Sequence, residues 1–371
     1  MECIQLVPMS VLTSQSNDEA SGIKTKIADR KRRRESSVSN TSLKPTNNKP
    51  KLSNGRCPSV GERYEKIRRV GEGTYGIVYK ARDKHTNQLV ALKRCLPHQE
   101  ATEGFPITTL WEIAMLWSSQ HHPNIIQLQT VLAVSSSAVF LVFDYCPHDL
   151  AQLVDQHYQI HRKSPFSLPQ VKRLLLQLFS ALEFIHARNI LHRDLKLANL
   201  LYDGKLKLAD FGLSRKYKVP LTPKVMSLWY RPPELLLGAS RYDESIDIWG
   251  AGCVMGELLL GKPLWTCKTE MEMIRTLFNE LGTPHEAIWS GFLELPLIAN
   301  ETIELPTIVL PAKLWDRFPE ISPVGLTLFS NLMMWDPSKR WTAQQASKSI
   351  YFDELPMPTP DSAMPRFHDR K

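Results

Sequence analysis

The 371-residue sequence predicts an α+β fold of two lobes, in which a small antiparallel β lobe with one helix precedes a larger α-helical lobe. Three observations predict it. Residues 64–70, 76–83 and 89–94 are short runs rich in β-branched and aromatic residues, separated by turn chemistry as in an antiparallel meander. A helical stretch over 107–119 interrupts that pattern before two more strand-like runs near 126–134 and 138–144. Beyond Pro147 the periodicity becomes helical, and Val171, Leu174, Leu175, Leu178, Leu182 and Ile185 share one face of a helix over 168–187. The expected organisation is a basic N-terminal tail over 1–60, a folded domain over 61–352 whose lobes meet near 145–146, and a Pro-containing C-terminal tail over 353–371.

Residues 1–60 are rich in Ser, Thr, Asn, Lys and Pro, with too few large apolar groups to offset chain entropy, so this tail is expected to be disordered. It also holds most of the net charge of +8: eleven Lys/Arg against five Asp/Glu, which leaves 35 against 33 over the rest. The folded part is nearly neutral and offers no broad basic face, and no aromatic residues interleave with the basic cluster. Both features argue against nucleic-acid binding as the main function. Arg30-Lys31-Arg32-Arg33-Arg34 fits a nuclear import signal better than a nucleic-acid contact or a merely solvated charge run, so a nuclear, otherwise cytoplasmic, location is expected. The six cysteines contain no C-x-x-C pair, which speaks against a zinc site or a disulfide framework. No apolar run reaches bilayer-spanning length and the N-terminus lacks a signal-peptide layout, so a soluble intracellular chain with no membrane partner is expected.

Four motifs carry chemistry. Gly71-Glu72-Gly73-Thr74-Tyr75-Gly76-Ile77-Val78 is a G-x-G-x-x-G-x-V loop between two strand-like runs, where missing side chains let the backbone approach phosphate oxygens. By itself it fits a tight structural hairpin equally well. Val90-Ala91-Leu92-Lys93 places an ammonium on the next strand, within reach of the α- and β-phosphates of a nucleotide, with Glu112 as the carboxylate that would hold it. His192-Arg193-Asp194-Leu195-Lys196-Leu197-Ala198-Asn199 satisfies H-R-D-x-x-x-x-N at every fixed position. Here Asp194 would accept the proton of a substrate hydroxyl, Lys196 would offset charge on the moving phosphoryl group, and Asn199 would ligate magnesium. Sixteen residues after Asp194, Asp210-Phe211-Gly212 supplies a second metal carboxylate.

With these motifs in this order, residues 61–352 resemble a eukaryotic protein kinase of the cyclin-dependent class. Pro106-Ile107-Thr108-Thr109-Leu110-Trp111-Glu112 resembles the PITSLRE form of the cyclin-contacting helix found in the branch of cyclin-dependent kinases ten and eleven. Ser227-Leu228-Trp229-Tyr230-Arg231-Pro232-Pro233-Glu234-Leu235 resembles the segment that receives a proline after the target residue. Leu281-Gly282-Thr283-Pro284 resembles the start of the insert common to this kinase group, and the closing Pro356-Met357-Pro358 is similar to the ten-and-eleven branch. The resemblance implies a bilobal protein kinase fold, ATP and Mg2+ as cofactors, transfer to Ser or Thr followed by Pro, and a cyclin partner, by branch analogy of L or M type. It implies that Val70, Gly71, Gly73, Gly76, Val78, Ala91 and Leu201 surround the nucleotide, with Phe143 at the back of the adenine pocket. Asp144, Tyr145 and Cys146 would form the hinge and Asp149 its rim. Core packing would use the apolar ones equally well. Thr74, Tyr75 and Thr222 would be regulatory phosphorylation sites, Arg193 and Arg215 the clasp for the Thr222 phosphate, and Val225, Ser227 and Arg231 the substrate pocket. Glu234 with Arg340 would form a buried ion pair, and Asp247 would support the catalytic loop.

Two features depart from the pattern. Trp111 stands where an arginine usually precedes the helix glutamate, and only twelve residues separate Asp210 from Thr222, a shortened activation loop. Both weaken the expected phosphate clasp and shift weight onto the partner. The competing reading is a kinase-fold scaffold that binds a cyclin without catalysis. Its usual mark, loss of Lys93, Asp194, Asn199 or Asp210, is missing here.

Overall fold

The structure, a computed structural model, describes residues 60–73, 76–95, 107–135, 138–217, 225–303, 305 and 312–368. The basic cluster at 30–34 and the expected phosphorylation sites Thr74, Tyr75 and Thr222 lie outside the described residues.

A short helix, α1 (Val60–Arg63), leads into β1 (Tyr64–Gly73), β2 (Gly76–Asp83) and β3 (Leu89–Cys95), followed by helix α2 (Ile107–Ser118), β4 (Leu128–Ser135) and β5 (Ala138–Asp144). The strands form one antiparallel sheet in the order β1-β2-β3-β5-β4, as the meander pattern predicts. Alternation along β3 separates the two faces. Val90 and Leu92 join Tyr64, Ala81, Phe140 and Val142 in a small cluster, whereas Ala91 and Cys95 pack on the main core with Ile113 and Leu116 of α2. Lys93 shares the parity of Ala91 and Cys95, so the strand itself aims its ammonium at α2. The β1–β2 hairpin requires glycine at 76, because a Cβ there would stand 2.4 Å from the Arg94 carbonyl oxygen.

The second lobe runs β6 (His148–Asp149), α3 (Leu150–His161), α4 (Leu168–His186), β7 (Ile190–Leu191), β8 (Leu200–Tyr202), β9 (Leu206–Leu208), β10 (Arg215–Lys216), α5 (Pro233–Leu236), α6 (Ser245–Leu260), α7 (Glu270–Leu281), α8 (Pro296–Ala299), α9 (Pro323–Leu332) and α10 (Ala343–Ser347). Helix α4 starts after Ser167, whose backbone N–H donates to Gln170 Oε1 at 2.9 Å, and Pro169 sits in its first turn. It buries the apolar face predicted for it. Helix α6 is buried from Ser245 through Leu258, so it forms the hydrophobic axis of the lobe. Among the described residues no helix is long and apolar enough to cross a membrane.

Packing continues past the boundary expected at 352. Residues 353–368 lie along α4 and return to β6: Arg173 Nε donates to the Thr359 carbonyl at 2.5 Å, Thr359 N–H to the Pro169 carbonyl at 3.0 Å, and Tyr202 Oη to the Pro365 carbonyl at 2.6 Å. Phe367 ends this strap edge-on to Phe166, Tyr202 and His148. The strap also explains a wholly buried cation, Lys172, which donates to the Glu354 carbonyl at 3.1 Å and lies 4.2 Å above the Tyr351 ring.

Candidate active site

The loop between β7 and β8 is built around a carboxylate from α6. Asp247, fully buried, accepts the backbone N–H groups of His192 at 2.8 Å and Arg193 at 2.9 Å, while His186 Nε2 lies 3.0 Å away. Burial alone would raise its pKa, but these hydrogen bonds and the nearby imidazoles hold it below the ordinary carboxylate value. Arg193 takes φ of 65°, a left-handed conformation for a non-glycine residue, so the loop turns sharply at the residue before Asp194.

Around Asp194 the neighbouring polar groups converge. Lys196 Nζ donates to Asp194 Oδ2 at 2.8 Å and to Ser227 Oγ at 3.0 Å. Ser227 Oγ lies 3.2 Å from Asp194 Oδ1, and Asn199 Nδ2 donates to Asp194 Oδ2 at 2.9 Å and to its carbonyl at 2.8 Å. A carboxylate, a cation, a hydroxyl and an amide are thereby fixed within one hydrogen-bond shell.

A second cluster faces it. Lys93 Nζ lies 2.6 Å from Glu112 Oε1 on α2 and 3.1 Å from Asp210 Oδ1. Burial would lower the ammonium pKa, but the Glu112 and Asp210 carboxylates overcome that and raise it, so Lys93 stays charged. Asp210 is held below the ordinary carboxylate value despite the desolvation it suffers, chiefly by the Lys93 ammonium. Asp210 also has φ of 61°, a second strained residue that turns the chain into the short 3₁₀ turn at Phe211–Leu213. The Phe211 ring is fully buried 5.1 Å from the His192 ring, joining that turn to the loop that carries Asp194.

Between the lobes lies a cavity of about 700 Å³. Val70, Gly71, Gly76, Val78, Ala91, Lys93, Phe143, Asp144, Tyr145, Cys146, Asp149, Leu201, Asn199 and Asp210 line it, which brings together every residue expected around the nucleotide except Gly73, which ends β1 opposite Gly76. Its apolar walls suit a flat base, and its cation and two oxygen-bearing side chains suit a polyphosphate with a divalent ion. Among the described residues no cluster of three or more His, Cys, Asp or Glu side chains could hold a metal alone. A cation here would take Asp210 and Asn199 together with phosphate oxygens, the oxygen-rich coordination that suits magnesium. Burial pushes the Cys146 thiol up to about 12, so Cys146 is a protonated wall group of the cavity rather than a thiolate.

The remaining expected residues fall into place around this centre. Arg231 donates to the carbonyls of Val225 at 3.0 Å and Met226 at 2.9 Å and pairs with Glu270. This holds Met226 at φ of 70° directly before Ser227. The two arginines expected to clasp a phosphate already have protein partners: Arg193 Nε donates to the Leu213 carbonyl at 2.7 Å and its Nη1 to Tyr242 Oη at 2.8 Å, and Arg215 Nη1 donates to the Ser214 carbonyl at 2.7 Å. Asp149 caps α3, accepting the Gln152 N–H at 2.8 Å, as well as standing at the cavity rim. Arg340 grips Glu234 through two bonds of 2.7 and 2.6 Å, as expected.

Reading the sequence did not find Ile126, Ala209 and Gln152 in the cavity wall, His186 on Asp247, or Tyr242 on Arg193. Ile126 arrives through a bond from its N–H to the Leu208 carbonyl at 3.0 Å, a pairing between distant segments of the chain that no local signal announces.

Comparison with known proteins agrees with this geometry. The family described as "Protein kinase domain" matches residues 64–352. Cyclin-dependent kinase 10 of Bos taurus is 44% identical over 84% of this chain and 85% of its own length, and cyclin-dependent kinase 10 of Homo sapiens is 44% identical over 84% and 86%. Cyclin-dependent kinase G-2 of Oryza sativa subsp. indica is 43% identical over 84% of this chain and 44% of its own length. Among solved structures, a chain of the crystal structure of the yeast RNA Pol II CTD kinase CTDK-1 complex superposes with a TM-score of 0.72 at 36% identity, covering 83% of this chain and 98% of that one. A catalytic loop folded on Asp247, a Lys93–Glu112–Asp210 cluster across the cleft and relatives of this similarity place the chain in the protein kinase family, among the cyclin-dependent serine/threonine kinases.

Proposed function

We propose that this kinase, held active by a cyclin, transfers the γ-phosphate of MgATP to Ser or Thr followed by Pro in nuclear proteins of cell-cycle, transcription or RNA-processing control. The observation that carries the reading is the convergence of Lys196, Ser227 and Asn199 on the Asp194 carboxylate, opposite Lys93, Glu112 and Asp210. MgATP, when bound, would supply the phosphoryl group, and its metal would offset the charge on the phosphate oxygens. The chain's own residues do the rest. Asp194 accepts the proton of the attacking hydroxyl, and Lys196, bonded to it, stabilises negative charge on the group in transit. Glu112 fixes Lys93 so that its ammonium meets the phosphates, while Asp210 and Asn199 hold the metal. Val225, Ser227 and Arg231 shape the pocket after the acceptor residue.

The cyclin reading is supported by α2, which carries both the PITSLRE-like sequence and the Glu112 that pairs Lys93. A transcription substrate is supported by the similarity to the yeast RNA Pol II CTD kinase, and nuclear residence by the cluster at 30–34. Phosphorylation at Thr74, Tyr75 and Thr222 belongs to the same proposal. Asp210→Asn tests the metal assignment. Transfer is expected to fall at least about a hundredfold, the scale of losing a preorganised charge at the transferring group, while the nucleotide-free protein still unfolds cooperatively, at a somewhat lower temperature because Lys93 loses one of its two carboxylates. Undiminished transfer would remove Asp210 from the metal site.

A further inference from the structure

Trp111 stands directly before the glutamate that pairs Lys93. Its half-buried indole packs against the core, and the Arg215 guanidinium carbon lies 5.8 Å from its ring centroid, within cation–π range. Arg215 is not a loose surface cation. Its Nη1 donates to the Ser214 carbonyl at 2.7 Å and to the Gly212 carbonyl at 3.3 Å, and its strand β10 pairs with β7 immediately before the catalytic loop. The guanidinium therefore closes the turn that begins at Asp210, against which α2 packs. The contacts form a ring. Lys93 binds Glu112 and Asp210. Glu112 adjoins Trp111, Trp111 carries Arg215, and Arg215 holds the turn that presents Asp210.

We infer that Trp111 is a positioning residue: by seating the Arg215 guanidinium on its ring, it ties α2, in the register that puts Glu112 on Lys93, to the turn that presents Asp210. Outward movement of α2 must break this contact as well as the Lys93–Glu112 ion pair. The clamp is written into the chain and does not wait for a phosphate. The inference rests on the kinase reading of the site for its effect on rate, but the contact itself can be tested without catalysis.

An aromatic face, not merely apolar bulk, is what the clamp needs, so Trp111→Phe and Trp111→Leu separate it from simple packing. In the full chain purified with its accompanying cyclin, Trp111→Leu is expected to lower kcat about three- to tenfold, the range of one partly desolvated cation–π contact, with KM for the peptide unchanged. Trp111→Phe retains most of the rate. Arg215→Leu gives at least the loss of Trp111→Leu, since it also frees the Gly212 and Ser214 carbonyls, and the double variant is no worse than Arg215→Leu alone. Amide exchange over 107–118, read on the same proteins, is expected to quicken by a similar factor in Trp111→Leu and not in Trp111→Phe. Equal behaviour of the Leu and Phe variants in exchange, or losses that multiply in the double variant, would overturn the clamp. A wild-type chain that transfers no phosphate would instead contradict the proposed function, and the exchange comparison would still decide the clamp.

Discussion

Asp247 Oδ1 accepts the backbone N–H of Arg193 at 2.9 Å, and that one bond ties the axis helix α6 to a strained residue of the loop that carries Asp194. A left-handed arginine is kept only where its surroundings over-determine it. Here they do so from both ends, through the amide on Asp247 and through the guanidinium on the Leu213 carbonyl and Tyr242.

Replacing Asp247 by Ala leaves two buried backbone N–H groups without an acceptor and an imidazole without its carboxylate. A loss of roughly 2–5 kcal/mol in unfolding free energy is expected, together with collapse of phosphate transfer. Urea unfolding measures the first and a peptide assay the second. A variant of wild-type stability would show that the loop geometry is held elsewhere.

Arg340 and Glu234 form a buried bidentate pair, with the guanidinium also 5.0 Å from the Trp249 ring. Lysine retains the charge but not the fork or the stacking plane. Arg340→Lys is therefore expected to cost roughly 1–3 kcal/mol, the scale of buried hydrogen bonds left unmade, and equal denaturant midpoints for the two proteins would contradict the role of the fork.

Glu257 accepts the Tyr230 hydroxyl at 2.5 Å, and burial pushes its carboxyl from the ordinary 4.5 up to about 7. Between those pH values the folded protein keeps a proton that the unfolded chain has released. This contribution to stability is complete below pH 4.5 and is lost as pH rises toward about 7, over a span worth at most roughly 3 kcal/mol. Glu257→Gln removes the titration. Its stability relative to wild type should rise steadily across that window, and parallel pH profiles would contradict the assignment.

How far the site was legible follows from where its information resides. Asp194, Lys196 and Asn199 sit within six residues of one another, so the loop's own sequence declares them, and the alternation of β3 aims Lys93 at α2. The apolar period of α4 likewise announces the face it buries. The strap over 353–368 reads as a polar, Pro-containing tail because it is held largely through its own backbone carbonyls, which accept from side chains on α4 and β8, and through ring contacts of Phe367, none of which leaves a periodic mark. The Arg215–Trp111 contact was hidden for a related reason: the sequence shows an unusual tryptophan, and only the fold shows which cation it meets.

The central claim is that Asp194 and its neighbours carry out phosphoryl transfer to Ser/Thr-Pro sites. Radiolabelled transfer to an arrayed Ser/Thr peptide library, by the full chain purified with its accompanying cyclin and by Asp194→Asn beside it, tests this most directly. Label confined to Ser/Thr-Pro peptides and reduced at least about a hundredfold in the variant, the scale of losing a positioned proton acceptor, is the predicted result. No label from a cyclin-bound wild-type protein, or equal label from the variant, would contradict it.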